Sequence, residues 1–325
     1  MFREYEFIVQ REKKRERIDV YLTRCIKGAS RSQIKRLIDD EKVFVNEKVV
    51  KPSHNVSPGE KIKVYYPLPV LPKALPENIP IDIIYQDKYL LLVNKPAGMI
   101  VHLSPDTFSG TLVNALLYHI KDLSGINGVL RPGIVHRLDK GTTGIIIVSK
   151  DDRTHRFLSY QFAARKMHKV YWALIWGKLR PKEGKIENYL KRGIKDIRKM
   201  VVDPDGKLSI TNYKTIEEFS FLSFVEVKPL TGRTHQIRAQ FANIGHPIFG
   251  DLLYGGRNRK LGGLNKSDYN NAVKYLDIIE RQALHARELG FFHPETNEFK
   301  IFTAPLSKDM QNLLDEIYRD TIHIY

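Results

Sequence analysis

Asp139 sits in the segment His136-Arg137-Leu138-Asp139-Lys140-Gly141-Thr142-Thr143-Gly144, with cations on both sides, directly ahead of the apolar run Ile145-Ile146-Ile147-Val148. A carboxylate on a tight loop that opens onto a strand can be held firmly and still face a cleft, where it serves as nucleophile or general base. Flanking cations favour its ionised form. The same residues also make an ordinary turn, since Asp followed by Gly and Thr is common turn chemistry. A second segment, Thr231-Gly232-Arg233-Thr234-His235-Gln236-Ile237-Arg238, pairs a glycine turn with a helix start and sets Arg233 and Arg238 where they can meet an anion. A third, Lys169-Val170-Tyr171-Trp172-Ala173-Leu174-Ile175-Trp176-Gly177, reads as a strand in which Tyr171 either packs or meets a ligand. In the fourth, Val93-Asn94-Lys95-Pro96-Ala97-Gly98-Met99, a strand runs into a Pro/Gly loop that carries Lys95, expected in solvent.

These segments need a scaffold. Short β-branched runs at Ile81–Tyr85, Tyr89–Val93 and Gly144–Val148 predict strands of one sheet. Helical spacing predicts helices near Leu112–His119, Phe157–Arg165 and Ile237–Phe241. Strands and helices mixed without a regular βαβ repeat indicate the α+β class. Lys260–Lys266, with Gly262-Gly263 inside it, reads as a flexible loop before a helical stretch from Tyr269 to Ile279.

Five of the sixteen prolines, Pro67, Pro69, Pro72, Pro76 and Pro80, fall between Tyr66 and Ile81. This predicts an extended linker over 67–80 separating an amino-terminal domain, 1–66, from a catalytic domain, 81–325. In the small domain Ile18, Tyr21, Leu22 and then Ile34, Leu37, Ile38 repeat at helical spacing. Val43, Val45, Val49 and the Ile62/Val64 pair follow as short strands, so the order is two helices and a hairpin.

The chain has 325 residues and a formal net charge of +16, so a folded chain of this composition is expected to meet a polyanion, most often nucleic acid. Residues 1–66 carry 16 Lys and Arg against 10 Asp and Glu, and Arg31, Lys35 and Arg36 lie on or beside the second helix. One cysteine, Cys25, excludes a disulfide framework and any thiolate-rich metal site. No Walker loop or dinucleotide glycine fingerprint appears, and too few acidic residues cluster near the motifs for a metal site, so no cofactor and no metal are expected. Apolar runs fall far short of the roughly 18 residues that span a bilayer, and a signal peptide's apolar core is missing, so a cytoplasmic protein without a membrane partner is expected.

Residues 15–66, with Arg17-Ile18-Asp19, Ser30-Arg31-Ser32-Gln33-Ile34-Lys35-Arg36-Leu37-Ile38 and Val43-Phe44-Val45-Asn46, resemble the small αL RNA-binding domain of a small-subunit ribosomal protein. Residues 82–306 resemble the pseudouridine synthases that modify large-subunit ribosomal RNA. That likeness rests on the four segments above together with Gly245-His246-Pro247-Ile248-Phe249-Gly250-Asp251 and Gln282-Ala283-Leu284-His285-Ala286. Gly141 stands where that family more often has a polar residue.

The resemblance implies a mixed, largely antiparallel sheet flanked by helices, and an isomerase that converts uridine in RNA to its C-glycoside with no cofactor. Asp139 would attack the ribose or the pyrimidine, or remove a ribose proton. Arg233 would be its basic partner, and Tyr171 would stack on the flipped uracil. Ile237 would wall the uracil pocket, and Arg137 would fill the space the base leaves. Further RNA contacts are expected from Lys95, Lys140, His235 and Arg238, and from Arg31, Lys35 and Arg36 in the first domain. A monomer acting on large-subunit ribosomal RNA, free or in a pre-ribosomal particle, is the expectation. A binding factor without catalysis, or a metal-dependent nuclease, are the competing classes; the former has no use for a carboxylate that repels phosphate.

Overall fold

The computed structural model describes residues 2–10, 15–26, 28–67, 74–104, 107–121, 123–124 and 132–322. The chain divides into two compact units, Met1–Leu71 and Pro72–Tyr325.

In the first unit β1 (Phe2–Ile8) and β2 (Glu16–Arg17) precede the helices α1 (Ile18–Cys25) and α2 (Arg31–Asp39). Strands β3 (Val43–Val45), β4 (Lys48–Val49), β5 (Asn55–Val56) and β6 (Lys61–Pro67) follow. Ser30 caps α2 through a reciprocal pair: its hydroxyl accepts from the Gln33 N–H at 3.3 Å while its own N–H donates to the Gln33 side chain at 2.8 Å. Ile34, Leu37 and Ile38 turn inward against Ile18, Leu22, Val43 and Val64, which leaves Arg31, Lys35 and Arg36 exposed on the outer face. Strand β1 was not expected; it pairs along its whole length with β6, giving a four-stranded order β1-β6-β3-β4.

The second unit has an α+β architecture. Its strands are β7 (Asp82–Gln86), β8 (Leu90–Lys95), β9 (Thr143–Ser149), β10 (His168–Trp176), β11 (Glu183–Arg192), β12 (Met200–Val202), β13 (Lys207–Glu218), β14 (Leu222–Pro229), β15 (Leu284–Phe292) and β16 (Phe299–Thr303). They form one sheet in the order β12-β11-β13-β14-β10-β15-β9-β8-β7, with β16 beside β15. All described pairings are antiparallel except β9 with β15, where Thr143 faces His285 and Gly144 faces Ala286. Helices α3 (Leu112–His119), α4 (Asp152–Ala163), α5 (Gln236–Asn243), α6 (Lys266–Ile278) and α7 (Lys308–Ile322) complete the unit.

Two apolar clusters form the core of this unit. One gathers β8, β9, α3 and α4 side chains such as Leu92, Ile146, Leu116 and Leu158; the other gathers Leu174, Val225, Phe241, Leu276 and Leu313. Tyr171 packs against both, which places it at their seam.

The proline-rich stretch is not a linker throughout. Residues 68–73 lie outside the described residues, whereas Ala74 is buried in the core of the second unit. Asn114 donates to the Leu75 carbonyl at 2.8 Å, and the Glu77 carboxylate accepts from Gly110 N–H at 3.0 Å. The expected flexible loop at 260–266 is instead a 3-10 turn, Asn258–Gly263, followed at once by α6, which Asn265 caps by accepting from Asp268 N–H at 2.9 Å.

Candidate active site

The loop carrying Asp139 is fastened from below. The β9–β15 pairing is so close that a Cβ on Gly144 would lie 2.2 Å from the Ala286 carbonyl oxygen, and its φ of +106° suits only glycine. Thr143 meets His285 at 2.9 Å, and the Gln282 amide donates to the Thr142 hydroxyl at 3.1 Å. Gly141 lies against the same Gln282 side chain, so any larger residue would displace it. The Arg281 guanidinium donates to the Gly141 carbonyl at 2.9 Å and grips Asp309 at the start of α7 at 2.7 Å and 2.9 Å.

Lys95 corrects an expectation. Its ammonium is fully buried and donates to the carbonyls of Pro96 (2.8 Å), Met99 (2.9 Å) and Lys140 (3.3 Å). Burial, aided by the charge of Arg281 and opposed by Asp139, pulls its pKa down to about 7. It ties two loops together and touches no solvent, so it is no phosphate contact. His136 is also structural: it accepts from Ile147 N–H at 3.0 Å and stacks on Phe162, and burial lowers its pKa to about 3.

Above the loop lies a cleft of about 480 Å³, walled by the 135–142 segment, Phe162, Lys169, Tyr171 and the 229–238 segment. Asp139 and Tyr171 therefore share one cleft with Arg233, His235, Ile237 and Arg238. Burial, reinforced by the Asp139 charge, raises the Tyr171 phenol well above its ordinary range, so it stays protonated. Ile237 is buried, at once a cleft wall and part of the core. Arg137 and Lys140 are exposed beside Asp139.

The ion-pair partner of Asp139 is Arg238, not Arg233. Arg238 Nη1 donates to Asp139 Oδ2 at 2.9 Å, while Nε and Nη2 fork onto Asp251 at 2.7 Å and 3.0 Å. Asp251 also accepts from the Leu253 and Tyr254 N–H groups, each at 3.1 Å. Burial disfavours the Arg238 charge, but the carboxylates of Asp251 and Asp139 outweigh it and hold the guanidinium above its ordinary value. The expectation that Arg238 meets RNA therefore fails, because it is only 7% exposed and each of its three nitrogens is engaged by a carboxylate. Arg233 is exposed and its Nε donates to the Leu208 carbonyl at 3.2 Å. The two arginines diverge because His235 between them adopts a left-handed φ of 51°, which reverses the chain before α5.

His235 likewise faces inward. Its Nε2 lies 3.8 Å from Asp139 Oδ2, and its Nδ1 is 3.1 Å from the Tyr254 hydroxyl. Burial, against the pull of Asp139, lowers its pKa, so it is neutral at pH 7. Both close contacts of Asp139 fall on Oδ2; among the described residues no hydrogen bond falls on Oδ1. The arrangement is a carboxylate with one oxygen anchored and the other available for attack or proton removal. In the first unit Arg31 shares the buried Asp19 carboxylate with Arg17, at 2.9 Å and 3.1 Å, which orients both guanidinium groups while leaving them partly exposed.

Asp251, Arg281 and Asp309 carry no assignment from sequence. Asp251 closes the Gly245–Asp251 segment, so a carboxylate at the end of a glycine-rich turn was the available signal; the Arg281–Asp309 pair has none. Among the described residues no group of three or more His, Cys, Asp or Glu is arranged to hold a metal ion, and no helix is long and apolar enough to cross a membrane.

Comparison with known proteins fits this geometry. The RNA pseudouridylate synthase family profile matches residues 89–243, and the S4 domain profile matches residues 16–62. An uncharacterized RNA pseudouridine synthase of Bacillus subtilis is 40% identical over 309 residues, covering 95% of this chain and 96% of that protein. The ribosomal large subunit pseudouridine synthase D of Zymomonas mobilis is 38% identical over 303 residues, covering 91% of this chain and 92% of its own. The solved structure of human RNA pseudouridylate synthase domain containing 4 aligns with a TM-score of 0.57 at 25% identity, over 73% of this chain and 93% of that one. A relative of this identity over nearly the full length, with an S4 domain ahead of the catalytic unit, shows that the chain belongs to the RNA pseudouridine synthases, RNA-binding isomerases with an α+β catalytic fold.

Proposed function

We propose that this enzyme isomerises uridines in large-subunit ribosomal RNA, with Asp139 as the reacting group. The observation that carries the reading is a cleft carboxylate anchored through one oxygen to the buried Arg238, which Asp251 holds in turn. The reaction breaks the bond between C1′ and N1, turns the uracil and joins C5 to C1′; C5 loses a proton and N1 gains one. Attack on the sugar or base, or removal of a ribose proton, each requires the ionised carboxylate. Tyr171, held protonated, supports the uracil by stacking and is a poor base. Arg137 and Lys140 stand beside the carboxylate for RNA contact, and Arg233 serves the same purpose from the opposite wall.

The names of the relatives from Zymomonas mobilis and Buchnera aphidicola, ribosomal large subunit pseudouridine synthase D, favour the large subunit as the target. The cytoplasm and a monomeric state are part of the same proposal. Mapping pseudouridine in ribosomal RNA of cells lacking the protein, complemented with the parent or with Asp139→Asn, tests the proposal. Sites that vanish in the deletion should return with the parent alone. Return with Asp139→Asn would remove Asp139 from the reaction, and small-subunit or transfer RNA sites would correct the target.

A further inference from the structure

We infer that the turn joining β11 to β12 is an apolar wedge that enters the base stack of the RNA next to the target uridine. The inference rests on the RNA-modifying reading above and concerns how the substrate is opened.

Three aliphatic side chains stand in solvent here: Ile194 is 87% exposed, Ile197 65% and Leu252 81%. A single exposed aliphatic is ordinary; two on one short turn, with a third among the residues lining the cleft beside that turn, are not. The turn that carries the isoleucines is closed and stiff. Gly193 N–H donates to the Lys199 carbonyl at 2.9 Å, Lys199 N–H to the Asp196 carbonyl at 3.0 Å, and the Arg198 guanidinium forks onto Asp196 at 2.9 Å through both nitrogens. Asp196 is thus neutralised within the turn. Arg192, Lys195 and Lys199 leave its outward charge positive.

Its position ties it to the chemistry. Asp196, Arg198, Lys199 and Leu252 line a second cleft, about 370 Å³, that shares Arg238 with the catalytic cleft and includes the Asp251 carboxylate that holds it. Met200 N–H at the foot of the turn donates to the Tyr254 hydroxyl at 2.8 Å, and Tyr254 contacts His235 beside Asp139. Phosphate contacts need cations only. Rigid aliphatics presented among those cations fit the faces of bases, which an apolar wedge parts so that one nucleotide can leave the stack. A uridine inside a helix must be extruded before the cleft can hold it.

The test uses the full chain and a large-subunit ribosomal RNA fragment containing a responsive uridine, with 2-aminopurine as its neighbour. For the Ile194→Ser/Ile197→Ser double variant, kcat/KM should fall by about fivefold or more, the low end for one lost base contact. The fluorescence rise on binding should disappear, with an unchanged thermal midpoint and an unchanged dependence of affinity on salt. Ile194→Leu/Ile197→Leu should restore both readouts. A parent that turns over and a serine variant equal to it in turnover and fluorescence would overturn the wedge and keep the isomerase. A parent that shows the rise without turnover, lost in the serine variant, would keep the wedge and refute the isomerase reading for that RNA. A variant impaired only on an assembled subunit, and normal on naked RNA, would assign the patch to a protein partner and overturn the wedge.

Discussion

Arg238→Met should separate two consequences of the Asp139–Arg238–Asp251 arrangement. Arg238 and Asp251 are both buried, and the guanidinium is the only cation within ion-pair distance of Asp251 among the described residues. Methionine fills the space of the aliphatic stem but leaves the Asp251 carboxylate with only the Leu253 and Tyr254 N–H groups. Removing one partner of a buried pair costs about 3 to 5 kcal/mol. For a unit of this size about 2 to 4 °C is lost per kcal/mol, so the midpoint of the catalytic unit should fall by roughly 6 to 20 °C. Turnover should fall with it, because Asp139 loses its anchor. Adding Asp251→Asn to Arg238→Met removes the orphaned charge and should recover about half of the stability lost. It should recover none of the turnover, since Asp139 remains unanchored. Thermal unfolding by calorimetry and tritium release from [5-³H]uridine RNA, measured below the lowered midpoint, read the two effects separately. A single variant with the parent's midpoint, or a double variant that regains activity, would refute the reasoning.

Other outcomes follow from the same geometry. Asp139→Asn should abolish turnover while RNA affinity, by filter binding, stays within about threefold, because only the charge changes. Arg233→Ala should raise KM with kcat nearly intact, since Arg233 does not reach Asp139; a kcat loss matching that of Arg238→Met would restore it as the partner. Tyr171→Phe should keep RNA affinity, and the parent's kcat should show no limb from Tyr171 between pH 6 and 9, because its raised pKa leaves the phenol protonated throughout that window; a basic limb lost in Tyr171→Phe would contradict this. A chain beginning at Pro72 should fold and, at high RNA concentration, turn over. Its salt slope should be shallower by roughly 2 to 3 if about three cations of the first unit meet phosphate. A chain beginning at Ile81 should be markedly less stable, since it lacks Ala74 and the Leu75 and Glu77 contacts, and equal midpoints for the two would show that 74–80 contributes nothing.

What could be read in the sequence was local. Strand and helix positions around residues 81–95, 112–119, 144–177 and 237–241 followed from apolar spacing, and three of the four motif segments contained residues that line one cleft. What could not be read depended on chain direction or distance. The choice between Arg233 and Arg238 turns on one left-handed residue, His235, whose φ no periodicity reveals. Lys95 read as a loop residue, yet the unbroken run Leu90–Val93 before it marks a strand buried on both faces, and a side chain at the end of such a strand stays inside. Asp251 and Asp309 meet arginines 13 and 28 residues away, beyond any helical or strand repeat. Strand β1 mixes charged and aromatic residues because it lies at a sheet edge, where only Tyr5 and Phe7 pack inward.

The grip of Arg281 on both Gly141 and Asp309 bears on how the enzyme comes into being on the ribosome that makes it. The RNA-binding unit emerges first, followed by the carboxylate loop, but the loop's underside is completed only once residues 281–309 have been translated and have left the exit tunnel. The unit that binds RNA is therefore complete well before the loop beneath Asp139, so RNA binding and RNA modification become available at different points of synthesis.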